Sequence, residues 1–195
     1  MEIIKDGKGR GYTAKVDEHN RLNVYSTNRE RISFVSEEHG AAFMVYAKRD
    51  FVAANTDESL LCFVYNGNTR CFIDKITFST NSSAAKIEVY GDHIYNNGGT
   101  IRIPSNLNRG SSIASDVTAM IGVSGSNGEL DITYSDGDEI LDIRLGTGQP
   151  TFTYDFNGGL ILERNDDFAI VGSVANAGDK IRAAVYYFEE PNVVV

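Results

Sequence analysis

Short segments in which apolar and polar residues alternate recur from Ala41 to the end of the chain, at intervals of roughly ten residues. The apolar runs are FMVYA, SLLCFVY, CFIDKITF, KIEVY, TIRI, ELDITY, EILDIRL, TFTYDF, GLILE, FAIVGSV and KIRAAVYYF. Clusters of Gly, Asn, Asp and Ser separate several of them, and these residues favour turns. The pattern predicts an all-β protein, a two-sheet β-sandwich with either Greek-key or jelly-roll wiring.

The last of these runs spans Lys180 to Phe188. Alternation assigns its apolar residues to one face: Ile181, Ala183, Val185 and Tyr187. This predicts a terminal core strand. The alternative interpretation is that Tyr186, Tyr187 and Phe188 form an exposed aromatic platform for a sugar.

The segment from Ser111 to Ile121 (SSIASDVTAMI) departs from the alternating pattern. Its apolar residues fall at helical spacing: Ile113, Val117, Met120 and Ile121. A serine at the start is a suitable N-cap. The spacing predicts a short helix inserted in a loop, although the β-branched residues in it have low helix propensity.

The first 40 residues differ from the rest. Tyr12 to Asp17 and Arg21 to Ser26 are short alternating segments separated by three polar residues, which is typical of a β-hairpin. Charged residues are dense from Thr27 to Gly40, which indicates a solvated connection or one short helix. The sequence therefore predicts an N-terminal arm or hairpin with a charged connection over residues 1–40, and a β-sandwich domain over residues 41–195.

Composition excludes some classes of function. The chain of 195 residues has 18 basic and 27 acidic residues and a formal net charge of −9. Such a protein repels a phosphate backbone, so we expect no nucleic-acid partner. No apolar run is long enough to span a membrane, and the start MEIIKDGKGRGY lacks the apolar core of a signal peptide. We expect a protein made in a cytoplasm, with no membrane partner.

The two cysteines flank Asn66-Gly67, a strong signal for a two-residue hairpin turn. A hairpin closed there places Cys62 directly opposite Cys71, near enough for a disulfide bond. In a protein made in a cytoplasm we expect both cysteines to be reduced and buried as small apolar residues.

No group of residues has the spacing of a catalytic or metal-binding motif. Acidic residues cluster at positions 135–139 and at Asn165 to Asp167, where turns explain them as well as a calcium ion does. The histidines His19, His39 and His93 lie beside polar turn residues, and the sequence has no nucleophile-elbow motif. We expect a protein that is not an enzyme, with no catalytic, cofactor or metal site; a polysaccharide-cleaving enzyme is a weaker alternative.

Three segments together resemble a loosely defined group of virion proteins from tailed bacteriophages. They are GYTAKVDEHNRLNV near the start, PSNLNRGS from Pro104 to Ser111, and GGLILERNDDFAIVGSVANAGDKIRAAVYYFEE near the end. Members of this group are jelly-roll proteins on the outside of the particle, as head decoration, auxiliary capsid or head-fibre subunits, often trimeric and without an active site. The resemblance implies a virion protein on the capsid exterior that binds the major capsid protein or other virion subunits and forms a homo-oligomer, a trimer.

The N-terminal segment is the candidate for contact with the capsid lattice, because it is glycine-rich and basic on an otherwise acidic protein. The candidate contact residues are Lys5, Lys8, Arg10, Tyr12, Lys15 and Arg21. The alternative is a plain edge hairpin packed on its own domain.

The alternative function is a carbohydrate- or receptor-binding β-sandwich module of a phage tail, collar or head fibre, since jelly rolls serve that role too. A sugar site requires an exposed aromatic platform flanked by polar groups. Tyr90, Tyr95 and Asn96 in VYGDHIYNN form a modest version, although the chain contains no Trp.

Overall fold

The structure, a computed structural model, describes residues 4–5, 13–16, 22–23, 32, 35–36, 39–122, 129–133 and 139–190. Most of the described residues lie in β-strands, and few are helical. The strands are β1 Ile4–Lys5, β2 Thr13–Val16, β3 Leu22–Asn23, β4 Ala42–Asp50, β5 Glu58–Tyr65, β6 Cys71–Thr80, β7 Ala84–Gly91, β8 Ile94–Asn97, β9 Thr100–Arg102, β10 Ser105–Asn106, β11 Val117–Ile121, β12 Asp131–Thr133, β13 Glu139–Gly146, β14 Thr151–Leu162, β15 Asp167–Val174 and β16 Lys180–Glu189.

The chain separates into two compact units, Met1–Glu30 and Arg31–Val195. In the first, β2 pairs antiparallel with both β1 and β3. The predicted hairpin between β2 and β3 is therefore confirmed. The second unit begins before residue 41, because Ile32 and Val35 are helical and belong to its hydrophobic core.

The second unit has eight long strands, which pair like a long hairpin. The first pairs with the last, the second with the last but one, and the rest follow the same order. β4 pairs with β16, β5 with β15, β6 with β14, and β7 with β13, all antiparallel. This long hairpin is rolled up because β16 also pairs with β6, and β15 with β7. The sheet β4-β16-β6-β14 thus packs on the sheet β13-β7-β15-β5. This is jelly-roll wiring, so the predicted fold class is confirmed.

The core lies between these two sheets, and β16 faces it from the interior of one sheet, between β4 and β6. Every residue predicted for its inner face is at most 1% exposed: Ile181, Ala183, Val185 and Tyr187. The ring of Tyr187 stacks on Phe43 at 5.7 Å between centroids and meets Phe63 edge-on at 5.1 Å. The predicted terminal core strand is confirmed. The sugar-platform alternative is wrong, because Tyr187 and Phe188 are buried.

An insertion over residues 92–138, between β7 and β13, holds β8 to β12. β11 pairs with β5, and β9 pairs with β11, which widens one sheet to six strands. β10 pairs with β4 and widens the other sheet to five strands. β8 and β12 form a separate two-stranded ribbon. The insertion therefore covers the edge of the jelly roll at which β4 and β5 lie.

The predicted helix over Ser111 to Ile121 is wrong. Residues 111–116 are not helical, and Val117–Ile121 form β11. This segment lies between β5 and β9, and as a strand it forms backbone hydrogen bonds with both neighbours. These bonds outweigh the helical spacing of its apolar residues. The β-branched residues Val117, Thr118 and Ile121 suit the strand.

The predicted hairpin at Asn66-Gly67 is also wrong. β5 belongs to the six-stranded sheet and β6 to the five-stranded sheet, so the turn crosses from one sheet to the other. The backbone of Asn66 donates to Asp116 O at 3.1 Å, a partner on a different segment. β5 joins the other sheet because both of its faces are apolar. Such a strand is buried fully only when it has a neighbouring strand on each side and an apolar layer on each face.

The cysteines consequently do not face each other. Cys62 pairs across the strands with Met120 and Ala169, whereas Cys71 pairs with Leu162 and Glu189. Both cysteines are buried and free, as expected for reduced residues.

Candidate functional site

Most of the predicted lattice-contact residues cannot be placed. Lys5 lies in β1 and Lys15 in β2. The others lie outside the described residues: Lys8, Arg10, Tyr12 and Arg21. Of the predicted acidic cluster at 135–139, Glu139 begins β13 and the remaining positions also lie outside the described residues.

The PSNLNRGS stretch, Pro104 to Ser111, is hydrogen-bonded to the segment before β4, and we call this stretch the clamp. The side-chain amide of Asn106 donates to Gly40 O at 2.7 Å and to Ile113 O at 3.0 Å. The amide of Asn108 donates to Ser36 O at 3.0 Å. Asparagine suits this position because its side chain both donates and accepts. The clamp thus ties the loop after β10 to the body of the jelly roll.

Close packing at Gly40 completes the clamp. Gly40 has φ +63°, and a Cβ there would overlap Ser111 Oγ. The hydroxyl of Ser111 donates to Gly40 O at 3.2 Å. Only glycine fits here, since it accepts a positive φ and leaves room for the serine.

The clamp supports an exposed apolar surface, which we call the insertion edge. Its apolar members are Ile101, Ile103, Leu107 and Ile113. Ile101 is 72% and Ile103 83% exposed, although isoleucine is among the residues most often buried. Arg102 and Arg109 are exposed within the same stretch. Exposed aliphatic side chains grouped at a sheet edge are typical of a protein-binding surface.

A thiol, an imidazole and a carboxylate lie in line on the outer face of the six-stranded sheet. Cys62 Sγ is 2.8 Å from His93 Nε2. His93 Nδ1 is 2.9 Å from Asp167 Oδ1, although it is not aligned for a hydrogen bond. The backbone N–H of His93 donates to the same oxygen at 3.2 Å. The order of groups is that of a nucleophile with its base and orienting carboxylate.

Burial makes this arrangement unsuitable for catalysis. Cys62 is 0% exposed, and burial raises the pKa of its thiol to about 12. Burial also lowers the pKa of His93 and raises the pKa of Asp167. At neutral pH the sulfur is therefore a thiol, and the imidazole is neutral. Because a thiolate is the reactive form, these groups serve as a buried polar contact.

Sequence reasoning missed this cluster. His93 was expected in a polar turn, whereas its side chain is fully buried. Its partners lie 31 and 74 positions away along the chain. The one local signal is the position of His93 in the two-residue connection between β7 and β8.

A buried ion pair fixes the end of β4. Arg49 is 1% exposed, and its Nε donates to Glu58 Oε2 at 2.7 Å. Its other nitrogens donate to Ser59 O at 2.7 Å and to Glu129 Oε1 at 3.2 Å. Glu58 Oε1 also accepts from the backbone N–H of Val52 at 3.0 Å. The pair therefore joins β4, β5 and the insertion.

A buried carboxyl group lies at the end of β16. Glu189 accepts from Ser115 Oγ at 2.6 Å and from the backbone N–H of Asp116 at 3.1 Å. Ser115 Oγ is also 2.7 Å from the hydroxyl of Tyr187. Burial raises the pKa of Glu189 to about 7, although these hydrogen bonds favour the charged form.

The modest sugar platform predicted at Tyr90, Tyr95 and Asn96 is not formed. Tyr90 is 3% exposed and packs in the cluster around Cys62. The hydroxyl of Tyr95 donates to Gly98 O at 2.8 Å, and the amide of Asn96 donates to Thr133. The predicted platform is wrong because Tyr90 lies on the face of β7 that packs in this cluster.

The cluster from Asn165 to Asp167 forms a turn. Asn165 has φ +70° and Asp166 Oδ2 accepts from Glu163 N at 2.7 Å. Among the described residues, no three His, Cys, Asp or Glu side chains converge as a metal site would require.

No protein-family model matches the chain, and no curated protein is significantly similar in sequence. Within the described part of the chain, no helix has the length and apolar character needed to cross a membrane.

Proposed function

We propose that the chain is a non-enzymatic structural virion protein of a tailed bacteriophage, which decorates or stabilises the exterior of the capsid. Its partners are the major capsid protein or neighbouring virion subunits, together with further copies of itself, most simply in a trimer. The observation that carries the proposal is the insertion edge. It is an exposed aliphatic surface held on a jelly roll by the PSNLNRGS clamp, one of the three segments that resemble phage virion proteins.

Such a protein acts through surface complementarity. By bridging neighbouring capsid subunits it adds contact area that must be lost before the shell opens. Binding to the assembled lattice, but not to free subunits, shifts the assembly equilibrium towards the closed shell. The N-terminal segment is the part proposed to contact the lattice, because it concentrates basic residues on an otherwise acidic protein.

The buried thiol cluster supports a non-enzymatic function. Its three groups have the order of a catalytic relay, yet the sulfur is fully buried and protonated at neutral pH. A substrate therefore has no access to it in the folded protein.

Electron microscopy of phage particles tests the proposal. Particles from a phage that encodes this chain are compared with particles from the same phage lacking the gene. We expect density on the outer shell surface that is missing from the deletion particles, and loss of packaged DNA from those particles at a lower temperature. Absence of the chain from purified particles would overturn the proposal. Density confined to the tail, collar or fibres would favour the carbohydrate- or receptor-binding alternative.

A further inference from the structure

Exposed large apolar side chains are concentrated at two edges of the jelly roll. Of the nine found among the described residues, six lie at these edges. Four form the insertion edge. The other two, Tyr154 at 38% and Ile161 at 43% exposed, lie on β14. We call the surface along β13 and β14 the β14 edge. The three remaining side chains are Val52, Ile94 and Tyr95.

The two edges lie on opposite sides of the molecule. β10 and β14 are the first and last strands of the five-stranded sheet, and β9 and β13 are the last and first strands of the six-stranded sheet. Between the sheets, β4 contacts β5 and β11, while β6 contacts β13. β9 and β10 therefore share one side, and β13 and β14 share the other.

The β14 edge is incompletely covered. Phe152, Phe156 and Leu160 are apolar but only partly buried against the core. The rings of Tyr154 and Phe156 meet edge-on at 4.7 Å. β9 and β14 each end a sheet in the described part of the chain, so each presents backbone groups to which a further strand can bond.

The charges of the two edges are opposite. Residues 93–115, which include the insertion edge, contain two arginines and no Asp or Glu, although the chain has 27 acidic residues. Residues 139–163, which include β13 and β14, contain four acidic residues and one arginine. Opposite charge favours contact between unlike edges, whereas contact between like edges is repulsive.

We infer that the insertion edge of one copy docks on the β14 edge of a second copy. The occupant is a second copy because the same chain carries both an exposed apolar, cationic edge and an exposed apolar, anionic edge. A contact between two different surfaces is head-to-tail, and it closes into a ring or continues as a filament. The inference deepens the self-association part of the proposed function by naming the two edges that meet, and it can be tested without a capsid.

Three single variants test the inference by light scattering. Ile103→Asp alters the insertion edge, and Tyr154→Asp alters the β14 edge. Val52→Asp is the matched control, since Val52 is 58% exposed and belongs to neither edge. We expect the wild type and the control to form the same oligomer. We expect each edge variant alone to be a 21.4 kDa monomer with an unchanged circular dichroism spectrum.

A mixture of the two edge variants distinguishes the kinds of contact. Each keeps one intact edge, so an equimolar mixture should form a dimer and nothing larger. If Tyr154→Asp assembles like the wild type while Ile103→Asp is a monomer, the contact is between two insertion edges and the inference is wrong. A wild type that stays monomeric up to its solubility limit would also overturn it. Neither outcome bears on shell attachment, which the particle images measure separately.

Discussion

The Sγ atom of Cys62 lies 2.8 Å from Nε2 of His93, within a buried cluster on the outer face of the six-stranded sheet. Leu130 and Ile132, next to and within β12, belong to the same cluster. A protonated thiol donates to Nε2, which leaves the proton of the neutral imidazole on Nδ1, facing Asp167. The reactivity of the Cys62 thiol therefore indicates whether the ribbon of β8 and β12 covers the sheet.

Both thiols should be unreactive in the folded protein. Cys62 and Cys71 are each 0% exposed, and burial raises the pKa of both. We expect Ellman's reagent to label neither under native conditions and both in denaturant. Mild oxidation should form no intramolecular disulfide, because the cysteines lie in different sheets. Rapid native labelling, or a Cys62–Cys71 disulfide found by mass spectrometry, would contradict the described strand pairing.

Replacing Gly98 by alanine should uncover Cys62. Gly98 has φ +80°, and a Cβ there would overlap the backbone oxygen of Glu129, beside Leu130. Gly178 is the matched control, since it has φ +90° with no atom near its Cβ position. Gly178→Ala should cost about 1 kcal/mol through backbone strain alone. Gly98→Ala should cost several times more in urea denaturation and should make Cys62 reactive; equal costs for the two variants would refute the clash.

Replacing Arg49 should be strongly destabilising. Arg49→Ala leaves the carboxylate of Glu58 buried and unpaired, which typically lowers the free energy of unfolding by about 3–5 kcal/mol. The neighbouring Lys48 is the control, because it forms an ion pair with Asp50 and its side chain is 41% exposed. Lys48→Ala should change stability by less than about 1 kcal/mol. Urea denaturation measures both variants, and similar losses would show that the buried pair is not special.

Stability should fall between about pH 5 and pH 8 because of Glu189. Its pKa is raised from 4.5 to about 7, so between these two values the unfolded carboxyl is ionised while the folded one keeps its proton. Stability therefore falls as pH rises from about 5 to 7, and it levels off above 7, where the folded carboxyl is ionised as well. Glu189→Gln stays neutral, so its free energy of unfolding relative to wild type should rise by roughly 2–3 kcal/mol from pH 5 to pH 8.

The control for this pH dependence is Glu190→Gln. Glu190 pairs with Arg70 at 2.9 Å, and its side chain is 40% exposed. Its effect on the free energy of unfolding should be small and should not increase between the two pH values. If Glu189→Gln behaves in the same way, the carboxyl of Glu189 is ionised in the folded protein throughout this range.

Removing Met1 to Ser26 should leave a folded jelly roll, because Arg31–Val195 forms a compact unit by itself. Removing β16 should abolish folding, since it lies between β4 and β6. Circular dichroism distinguishes the two truncations. Under the proposed function, the first truncation should also co-sediment less with undecorated capsid shells. Full retention of shell binding would refute a lattice contact by the N-terminal segment.

The alternation of residues along the chain was sufficient to predict the all-β class, the N-terminal hairpin and the core strand β16. These features depend on which face of a single strand is apolar, or on a reversal between adjacent segments, and both are local. In β16 the predicted inner-face residues, from Ile181 to Tyr187, are buried because the alternation of this strand is uninterrupted; the extra residue at the register shift beside Tyr186 lies on β6.

The partners of each strand were decided only by the tertiary structure. Asn66-Gly67 indicates a reversal of the chain, but it does not determine whether the next strand joins the same sheet or the facing one. β5 is apolar on both faces, so it is buried fully only between β11 and β15, with apolar layers above and below. That placement separates Cys62 from Cys71 and brings it to His93. Contacts between residues so distant in sequence follow from how two sheets bury their common surface, which no local pattern encodes.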